Sequence, residues 1–523
     1  SGRPRTLRTC LVERIITRSR NLRSVQNIHE TKNDEVGASL LAELAEREEV
    51  VGRSVSFFDG ANVVFRREAL AAIDGFDEYD IKPDIFEELG VLDRLSFERI
   101  ADFYRYRDGN CDIAVPHGRD AACKRLANEF PKDAEGIRRF YDVVLDLRES
   151  LLEFASSDEP SVTAKLLFAL RNRTFLRYRN ETLGSFLDDI IDEDAPKRVL
   201  TANLGYYHDD PYSLSLPFFA VAQGGYIANG GYYIKGGSQR LADYLVSLIE
   251  EAGGIVETGR RVIDILVDDG RVTGVRHEGA RSGTNAMTGQ DERTTDAEAV
   301  VANAAVPLVA EDLLPASQGH QLGAQFDDWD LAPSLTTLYL GFQTPPCELG
   351  CEQYSTVIQH PSVDTLGDIA SVQRESFGRR TLVFVDYSQI DADLTADDNS
   401  AGAISTIDYL DEWAGLQDAE YREKKAHVKT VLRRRLEAQY PQLVNAVEHA
   451  ELATPKTIQR YTLNPGGTAY GFAQTPSQSM LDRRIDPPVS NLRFASAWTF
   501  PGGGFTGAIV SGHLAAESML SGA

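Results

Sequence analysis

The sequence is poor in three features that mark secreted, membrane-spanning or nucleic-acid-binding proteins. Only five cysteines occur among 523 residues, and this scattered, odd-numbered set argues against a disulfide framework and favours a reducing cytoplasm. No run of about 18 apolar residues is present, so we expect no membrane-spanning helix. Basic residues number 54 against 79 acidic ones, and the net charge of −25 argues against nucleic acid as a partner because phosphates would be repelled.

The rest of the composition is that of a large soluble globular protein. Hydrophobic residues make up 42% and charged residues 25% of a chain long enough for more than one domain. An acidic excess of this kind is typical of salt-adapted proteins, since high salt screens the self-repulsion, so we expect a halophilic source. Cys347 and Cys351 lie close together without companion ligands, and we therefore expect no metal site.

Residues 57–78, FFDGANVVFRREALAAIDGFDE, stand out in the first part of the chain. Their pattern predicts a turn at Asp59–Gly60 and then a helix that stops at Gly75. The string resembles the acceptor-side segment of family 2 glycosyltransferases, but the nucleotide-sugar domain of those enzymes should lie upstream, where there is no room for it. We therefore interpret it as a helical leader and keep a glycosyltransferase-related fusion as a distant alternative.

Beyond residue 84 the pattern alternates between helices and strands. A hairpin is predicted around Asp108–Gly109–Asn110, and a second one around Asp268–Asp269–Gly270 with a short strand before it at Ile255–Glu257. A helix is predicted to begin at Pro131. The residues that this helix should turn towards the core are Ile137, Phe140, Tyr141 and Val144. Further strands are predicted at Ala299–Ala302, Leu331–Phe342 and Thr381–Tyr387, the last two in a second sheet.

The C-terminal segment NLRFASAWTFPGGGFTGAIVSGHLAAESML is the most informative motif. It reads as a strand through Leu492 and Phe494, a glycine turn at Gly502–Gly504, and a helix that begins near Phe505. A helix start offers backbone N–H groups and the positive end of a dipole, and glycines allow a flat or anionic ligand to approach the backbone. A tight packing corner could demand the same glycines, so the pattern alone leaves both interpretations open.

This segment resembles the end of flavin-dependent oxidoreductases of the phytoene desaturase and retinol saturase group, although Ala495–Ser496 stands where that group more often has Ala-Gly. Four other stretches match in the same order: GGYYIKGGSQRLADYL, EAGGIVETGRRVIDILVDDGRVTGV, DAEAVVANAAVP and ATPKTIQRYTLNPGGTAYG. The resemblance covers the chain from about residue 84 to its end. It implies FAD as the cofactor and an adenine contact by the backbone of Val262. It also implies contacts to the flavin ring and ribityl chain from Gly503, Gly504, Phe505, Thr506, Gly507 and Ala508.

The implied chemistry is the movement of a hydride between the flavin and a carbon of an apolar, isoprenoid- or carotenoid-like polyene. Apolar helices within residues 150–220 should then line the substrate tunnel. No dedicated acid or base stands out, so the catalytic residues are unknown. Tyr232, Tyr233 and Tyr470 could orient one end of the substrate, or they could be structural. We expect a cytoplasmic protein. Because such a substrate would come from a membrane, peripheral contact with a membrane is an open alternative.

The sequence departs from this group at its start. Residues 1–83 hold no G-x-G-x-x-G fingerprint, which in the group opens the first βαβ unit and binds the pyrophosphate of FAD. We therefore expect an α/β fold in which a Rossmann-like FAD-binding domain lacks its first βαβ unit and adjoins an α+β substrate domain with a second sheet. A non-catalytic, cofactor-deficient remnant or lipid-binding protein of the same fold is the alternative.

The same patterns divide the chain into five parts. These are an atypical N-terminal segment (1–83), a helical, substrate-lining part (84–220), a hairpin and strands of the FAD domain (221–310), a substrate domain (311–480) and the C-terminal strand and helix of the FAD domain (481–523).

Overall fold

The computed structural model describes residues 82–155, 172–280, 289, 291–395, 399–479 and 483–521. The strands in these ranges are β1 (Phe97–Arg99), β2 (Asp102–Arg107), β3 (Asp112–Pro116), β4 (Tyr232–Ile234), β5 (Arg260–Asp268), β6 (Arg271–Gly279), β7 (Arg293–Asp296), β8 (Val300–Ala302), β9 (Ser334–Phe342), β10 (Ser355–Ile358), β11 (Leu382–Asp386), β12 (Ser400–Asp408), β13 (Val447–Ala453) and β14 (Leu492–Phe494).

The α-helices of the same ranges are α1 (Lys82–Glu88), α2 (Val91–Arg94), α3 (Arg119–Glu129), α4 (Ala134–Ala155), α5 (Arg173–Tyr178), α6 (Leu183–Ile190), α7 (Asp194–Leu200), α8 (Leu216–Asn229), α9 (Gln239–Glu251), α10 (Val306–Leu308), α11 (Ala316–Gly323), α12 (Asp368–Val372), α13 (Asp411–Ala414), α14 (Asp418–Gln439), α15 (Pro455–Thr462) and α16 (Gly504–Ser521). In the described ranges, none of the helices is both long enough and apolar enough to cross a bilayer. The glycosyltransferase-like string at 57–78 lies outside the described residues.

Seven strands form one mixed sheet in the order β13-β9-β12-β11-β10-β2-β3. All neighbours are antiparallel except β10 and β2, which run parallel. This sheet contains the strands predicted within Leu331–Phe342 and Thr381–Tyr387 and the hairpin predicted around Gly109, so those predictions are confirmed. The sequence pattern did not predict β12 and β13, because both are rich in small or helix-favouring residues and gain their strand pairing from their neighbours.

Helices cover both faces of this sheet. Val357 and Ile358 are successive residues of β10, and successive side chains of a strand point to opposite faces. Val357 packs into a cluster with helices α3, α4 and α8, whereas Ile358 packs into another cluster with α14. The predicted core face of α4 is confirmed, since each of its four predicted residues is at most 2% exposed; these are Ile137, Phe140, Tyr141 and Val144.

The remaining strands of the described chain form smaller sheets. Strands β5, β6 and β7 are antiparallel neighbours, and the β5–β6 turn places Asp269 and Gly270 at φ 45° and 71°, as the predicted two-residue hairpin requires. Strands β8 and β14 pair in parallel, which confirms the strands predicted at Ala299–Ala302 and around Leu492. The strand predicted at Ile255–Glu257 is wrong: these residues are irregular, and Ile255 is 56% exposed. No described strand lies beside them to supply the hydrogen bonds that a strand needs.

A buried ion pair ties the seven-stranded sheet to the helices that follow it. Arg380 and Asp408 are 1% and 0% exposed at their side chains, and Arg380 Nη1 donates to Asp408 Oδ1 at 2.8 Å. Arg380 also donates to Glu412 at 2.6 Å, while Asp408 accepts from the indole Nε1 of Trp413 at 2.8 Å. The pair thereby joins the chain two residues before β11 to the last residue of β12 and to α13.

We predict that Arg380→Leu destabilises the protein by about 3–5 kcal/mol, because it leaves the Asp408 carboxylate buried without its counter-charge. Urea denaturation followed by circular dichroism measures the change. Arg125→Leu is the control, since it removes an exposed pair with Glu129 and should cost less than about 1 kcal/mol. Equal losses in the two variants would contradict the special role of the buried pair.

Candidate functional site

The chain between β14 and α16 is held in place by three hydroxyl groups. The backbone N–H of Ser496 donates to Ser511 Oγ of α16 at 3.0 Å, and Thr499 Oγ1 lies 2.9 Å from the same oxygen. Ser496 Oγ in turn accepts from the N–H of Trp498 at 3.0 Å. The serine that replaces the more usual glycine at this position therefore orders the turn locally.

The glycine turn that follows is tightly packed at Gly502. Gly502, Gly503 and Gly504 have φ values of 89°, 63° and 55°, a left-handed conformation that favours glycine. A Cβ at Gly507 would lie 2.7 Å from the carbonyl carbon of Gly502 and closer still to its oxygen. A Cβ at Gly502 would lie 2.9 Å from the Gln474 side-chain amide. The first turn of α16 is thus pressed directly against the glycine turn.

A buried arginine, Arg483, packs against the glycine turn. Arg483 is 1% exposed, and its guanidinium lies against the position that a Cβ of Gly502 would take. It donates to the backbone carbonyl oxygens of Phe472, Ala473 and Gln478 at 3.0, 2.8 and 3.1 Å. Burial lowers the pKa of Arg483 to about 9, because the charged form loses hydration. The turn therefore lies between a buried cationic side chain and the start of a helix.

This arrangement fits an electron-rich, flat group. The first four N–H groups of any helix lack acceptors within the helix, and the helix dipole makes that end positive. Gly503 and Gly504 lie at the start of α16 and are partly exposed, so a ligand can approach their backbone without meeting a side chain of either residue. The N–H of Gly503 already donates to the Ala497 carbonyl oxygen at 3.0 Å, so such a group would meet the N–H groups of the first turn of α16.

The other residues expected to contact FAD lie in two different packing clusters. Val262 is partly buried on β5 and packs against the cluster that contains Phe494 of β14. Phe505 packs instead against a cluster formed by Phe86, Ile234 and other residues. Thr506 and Ala508 are partly buried in α16. The structure thus gathers the C-terminal candidates at one turn and links Val262 to them through the core around β14.

The three tyrosines are not brought together. Tyr470 is 6% exposed and lines a cavity beside the seven-stranded sheet. Tyr233 is buried in an aromatic cluster, with its ring centroid 5.4 Å from that of Tyr387. Tyr232 is half-buried beside it on β4, opposite Arg99 of β1. Of the three, Tyr470 is placed where a substrate in that cavity could touch it.

The inner cavity lies between the seven-stranded sheet and the segment 198–209. Its apolar wall is contributed by both sides and consists of Ala202, Leu204, Leu335, Val357, Ile369, Val383 and Ile407. Residues of the predicted 150–220 region do line it, but the sheet supplies much of the wall. Tyr470 also lines the cavity, and Gly471, the next residue, packs so closely on Trp498 that a Cβ there would lie 3.1 Å from the indole.

A second, more open cavity meets the first at His208 and Asp209, which line both. His208 Nδ1 is 2.9 Å from Asp209 Oδ1, and the hydroxyl of Tyr409 donates to Asp209 Oδ2. Burial alone would raise the pKa of Asp209, but the hydrogen bonds from His208 and Tyr409 lower it overall. Burial and the nearby Asp209 charge raise the pKa of Tyr409. An ionised carboxylate and a protonated phenol therefore stand at the junction.

Sequence reasoning missed this junction. Its only sequence signal is the polar string HDD at 208–210 in an otherwise apolar region. Tyr409 directly follows β12, 200 residues further along the chain, and no local pattern links it to Asp209.

A family model described as flavin containing amine oxidoreductase matches residues 76–520. All-trans-retinol 13,14-reductase of Danio rerio is 22% identical over 428 residues, which are 77% of this chain and 68% of that protein. Prolycopene isomerase 1 of an Oncidium hybrid cultivar is 25% identical over 436 residues, 79% of this chain and 68% of that protein.

Among solved structures, a redesigned putrescine oxidase has a TM-score of 0.52 at 13% identity, covering 84% of this chain and 85% of its own. An oxidoreductase from Methanosarcina mazei has a TM-score of 0.52 at 13% identity, covering 92% and 97%. These likenesses show the fold: a mixed α/β architecture with several sheets, similar to that of FAD-dependent oxidoreductases.

We predict that Gly507→Ala weakens FAD binding at least about tenfold, because the new Cβ would push the glycine turn away from α16. Titration of FAD, followed by its visible absorption, measures the affinity. Gly512→Ala is the matched control on the same helix, since a Cβ there meets nothing within 4 Å. The control should bind FAD as the unaltered chain does; equal affinities for all three proteins would contradict the placement of the flavin at this turn.

Proposed function

Since this chain belongs to the flavin containing amine oxidoreductase family, we propose that it moves a hydride between FAD and a carbon atom of an apolar polyene of isoprenoid type. The observation that carries the proposal is the family match over residues 76–520, and the wall of the inner cavity, which includes Tyr470, is largely apolar. Two relatives are named for retinol and prolycopene, which are both apolar polyenes, and this supports the substrate class.

The C-terminal turn and helix are the proposed flavin site. The backbone of the turn would hold the ring and ribityl chain, and Val262 would contact the adenine through its backbone. The residues of the turn and helix in this role are Gly503, Gly504, Phe505, Thr506, Gly507 and Ala508. The buried Arg483 and the helix dipole would favour negative charge on the nearer edge of the ring.

We also propose that the FAD-binding domain of this chain is incomplete. Residues 1–83 hold no G-x-G-x-x-G fingerprint, and the parallel sheet of the described residues has only β8 and β14. The pyrophosphate of FAD would then lack the glycine loop and helix start that usually bind it. The cofactor should therefore be lost on extensive dialysis and regained on addition of FAD; retention through dialysis would contradict this part of the proposal.

The residues of the protein would bind the substrate, exclude water and hold a proton, while the cofactor supplies the redox chemistry. FAD, when bound, supplies the atom that accepts or delivers the hydride. The inner cavity has a volume of about 40 Å³ in this structure, so it would have to widen before part of a polyene could lie against Tyr470, where the apolar wall would exclude water. Asp209 and Tyr409 would hold a proton at the junction of the two cavities, within reach of a substrate that extends through it. We also propose that the protein lies in the cytoplasm and takes its apolar substrate from a membrane surface.

We predict that Gly205→Leu lowers kcat/KM for a polyene at least about tenfold while FAD affinity is unchanged. Gly205 lines the inner cavity, and a Cβ there would meet only Ile407 Cγ1, at 3.8 Å, so a longer side chain would grow into the space for the substrate. Gly205→Ala is the control, because its methyl group fits at ordinary contact distance. Anaerobic turnover with added FAD, followed by the polyene absorption, is the measurement; full activity in the leucine variant would place the substrate elsewhere.

A further inference from the structure

Arg483 differs from other buried arginines of this protein in having no counter-charge. Three arginines that are at most 9% exposed each form an ion pair with an aspartate: Arg198 with Asp108, Arg260 with Asp291 and Arg380 with Asp408. Arg483 is 1% exposed, and in the described ranges no carboxylate lies within ion-pair distance of it. A buried charge is costly unless it is paired, so an anion beside Arg483 would be stabilised.

Neutral acceptors hold the guanidinium of Arg483 in place. It donates to three backbone carbonyl oxygens. The side-chain amide oxygen of Gln474 accepts from its Nη1 at 2.8 Å and from its Nη2 at 3.1 Å. Because all of these acceptors are uncharged, they fix the direction of the cation without neutralising it. The charge is therefore preorganised.

This cation lies beside the proposed flavin site. A Cβ at Gly502 would lie 3.1 Å from Arg483 Cζ, so the absence of a side chain there is what lets the guanidinium approach the turn. Gly504 begins α16, and the positive end of that helix lies at the same turn. Fixed positive charges stabilise the negative charge that develops on a ligand, because they need not reorganise as it forms.

From this position, and resting on the proposed function, we propose that Arg483 makes the site bind reduced FAD more tightly than oxidised FAD. Transfer of a hydride to FAD adds two electrons and one proton, so the ring gains one negative charge. That charge would be the partner that Arg483 lacks. Because binding and redox equilibria are linked, tighter binding of the reduced form raises the reduction potential of the bound flavin. The hydride equilibrium on the protein then shifts towards reduced flavin and the more unsaturated polyene.

The affinities of the full chain for the two redox forms of FAD test this proposal, without oxygen and without substrate. Visible absorption gives the affinity for oxidised FAD, and the potential of the bound flavin, measured against a reference dye, then gives the affinity for the reduced form. We expect reduced FAD to bind at least about tenfold more tightly, which raises the potential by at least about 30 mV over that of free FAD. Equal affinities would overturn the proposal and leave the proposed function standing, whereas binding of neither form would overturn both.

Substitutions then assign the preference to Arg483. Arg483→Met removes the charge, and Gln474→Glu places a carboxylate against the guanidinium while the arginine stays in place. Each should lower the preference for reduced FAD at least about tenfold. Gln474→Glu decides the question if the methionine variant does not fold. Arg483→Lys keeps the charge and should keep the preference to within about threefold.

Arg484→Met is the matched control for these variants. The Arg484 side chain is 84% exposed and pairs with Asp486 at 3.4 Å, in contact with water and not with the glycine turn. This control should keep both affinities. Equal losses of affinity for the two forms of FAD in Arg483→Met and Gln474→Glu would show a general packing effect and overturn the assignment.

Discussion

The buried ion pair of Arg380 and Asp408 is the interaction that holds β11 and β12, and with them part of the wall of the inner cavity, in place. Two charges that are almost wholly removed from water are tolerated only where each is paired and hydrogen-bonded, and here Glu412 and Trp413 complete the set. The pair fixes the start of β11 and the end of β12 at once. Strand β12 brings Ile407 to the cavity wall, and the residue after Asp408 is Tyr409 at the junction of the two cavities.

At the proposed flavin site, the conformation of the backbone is the main constraint. Three successive glycines in the left-handed region bring the chain into α16 without side chains at the turn, and Gly507 lets the helix close against it. Trp498, which lies between β14 and the turn, packs on Gly471, and the preceding residue, Tyr470, lines the inner cavity.

The sequence predicted the elements whose signal is local. The β5–β6 hairpin depends on Asp269 and Gly270, and the C-terminal strand, turn and helix depend on a short glycine string, so both could be predicted from neighbouring residues. The strand at Ile255–Glu257 failed because an extended segment also needs a partner, which no local pattern reports.

The lack of long-range information in local sequence patterns also explains why the junction of the two cavities was not predicted. Asp209 meets Tyr409 across 200 residues of chain. The fold brings the two together, and a single sequence carries no record of such long-range pairing. The proposed flavin site, by contrast, can be predicted from the sequence, because one short segment carries most of its candidate residues.

The most direct test of the account is an anaerobic single turnover on the protein with FAD added. Reduced flavin is mixed with a polyene in one experiment, and oxidised flavin with the more saturated compound in another, while the flavin absorption is followed. If a hydride passes between the two molecules, the flavin changes redox state in one of the two mixtures as the polyene gains or loses a double bond. Flavin that binds but changes in neither mixture would contradict the proposed hydride transfer.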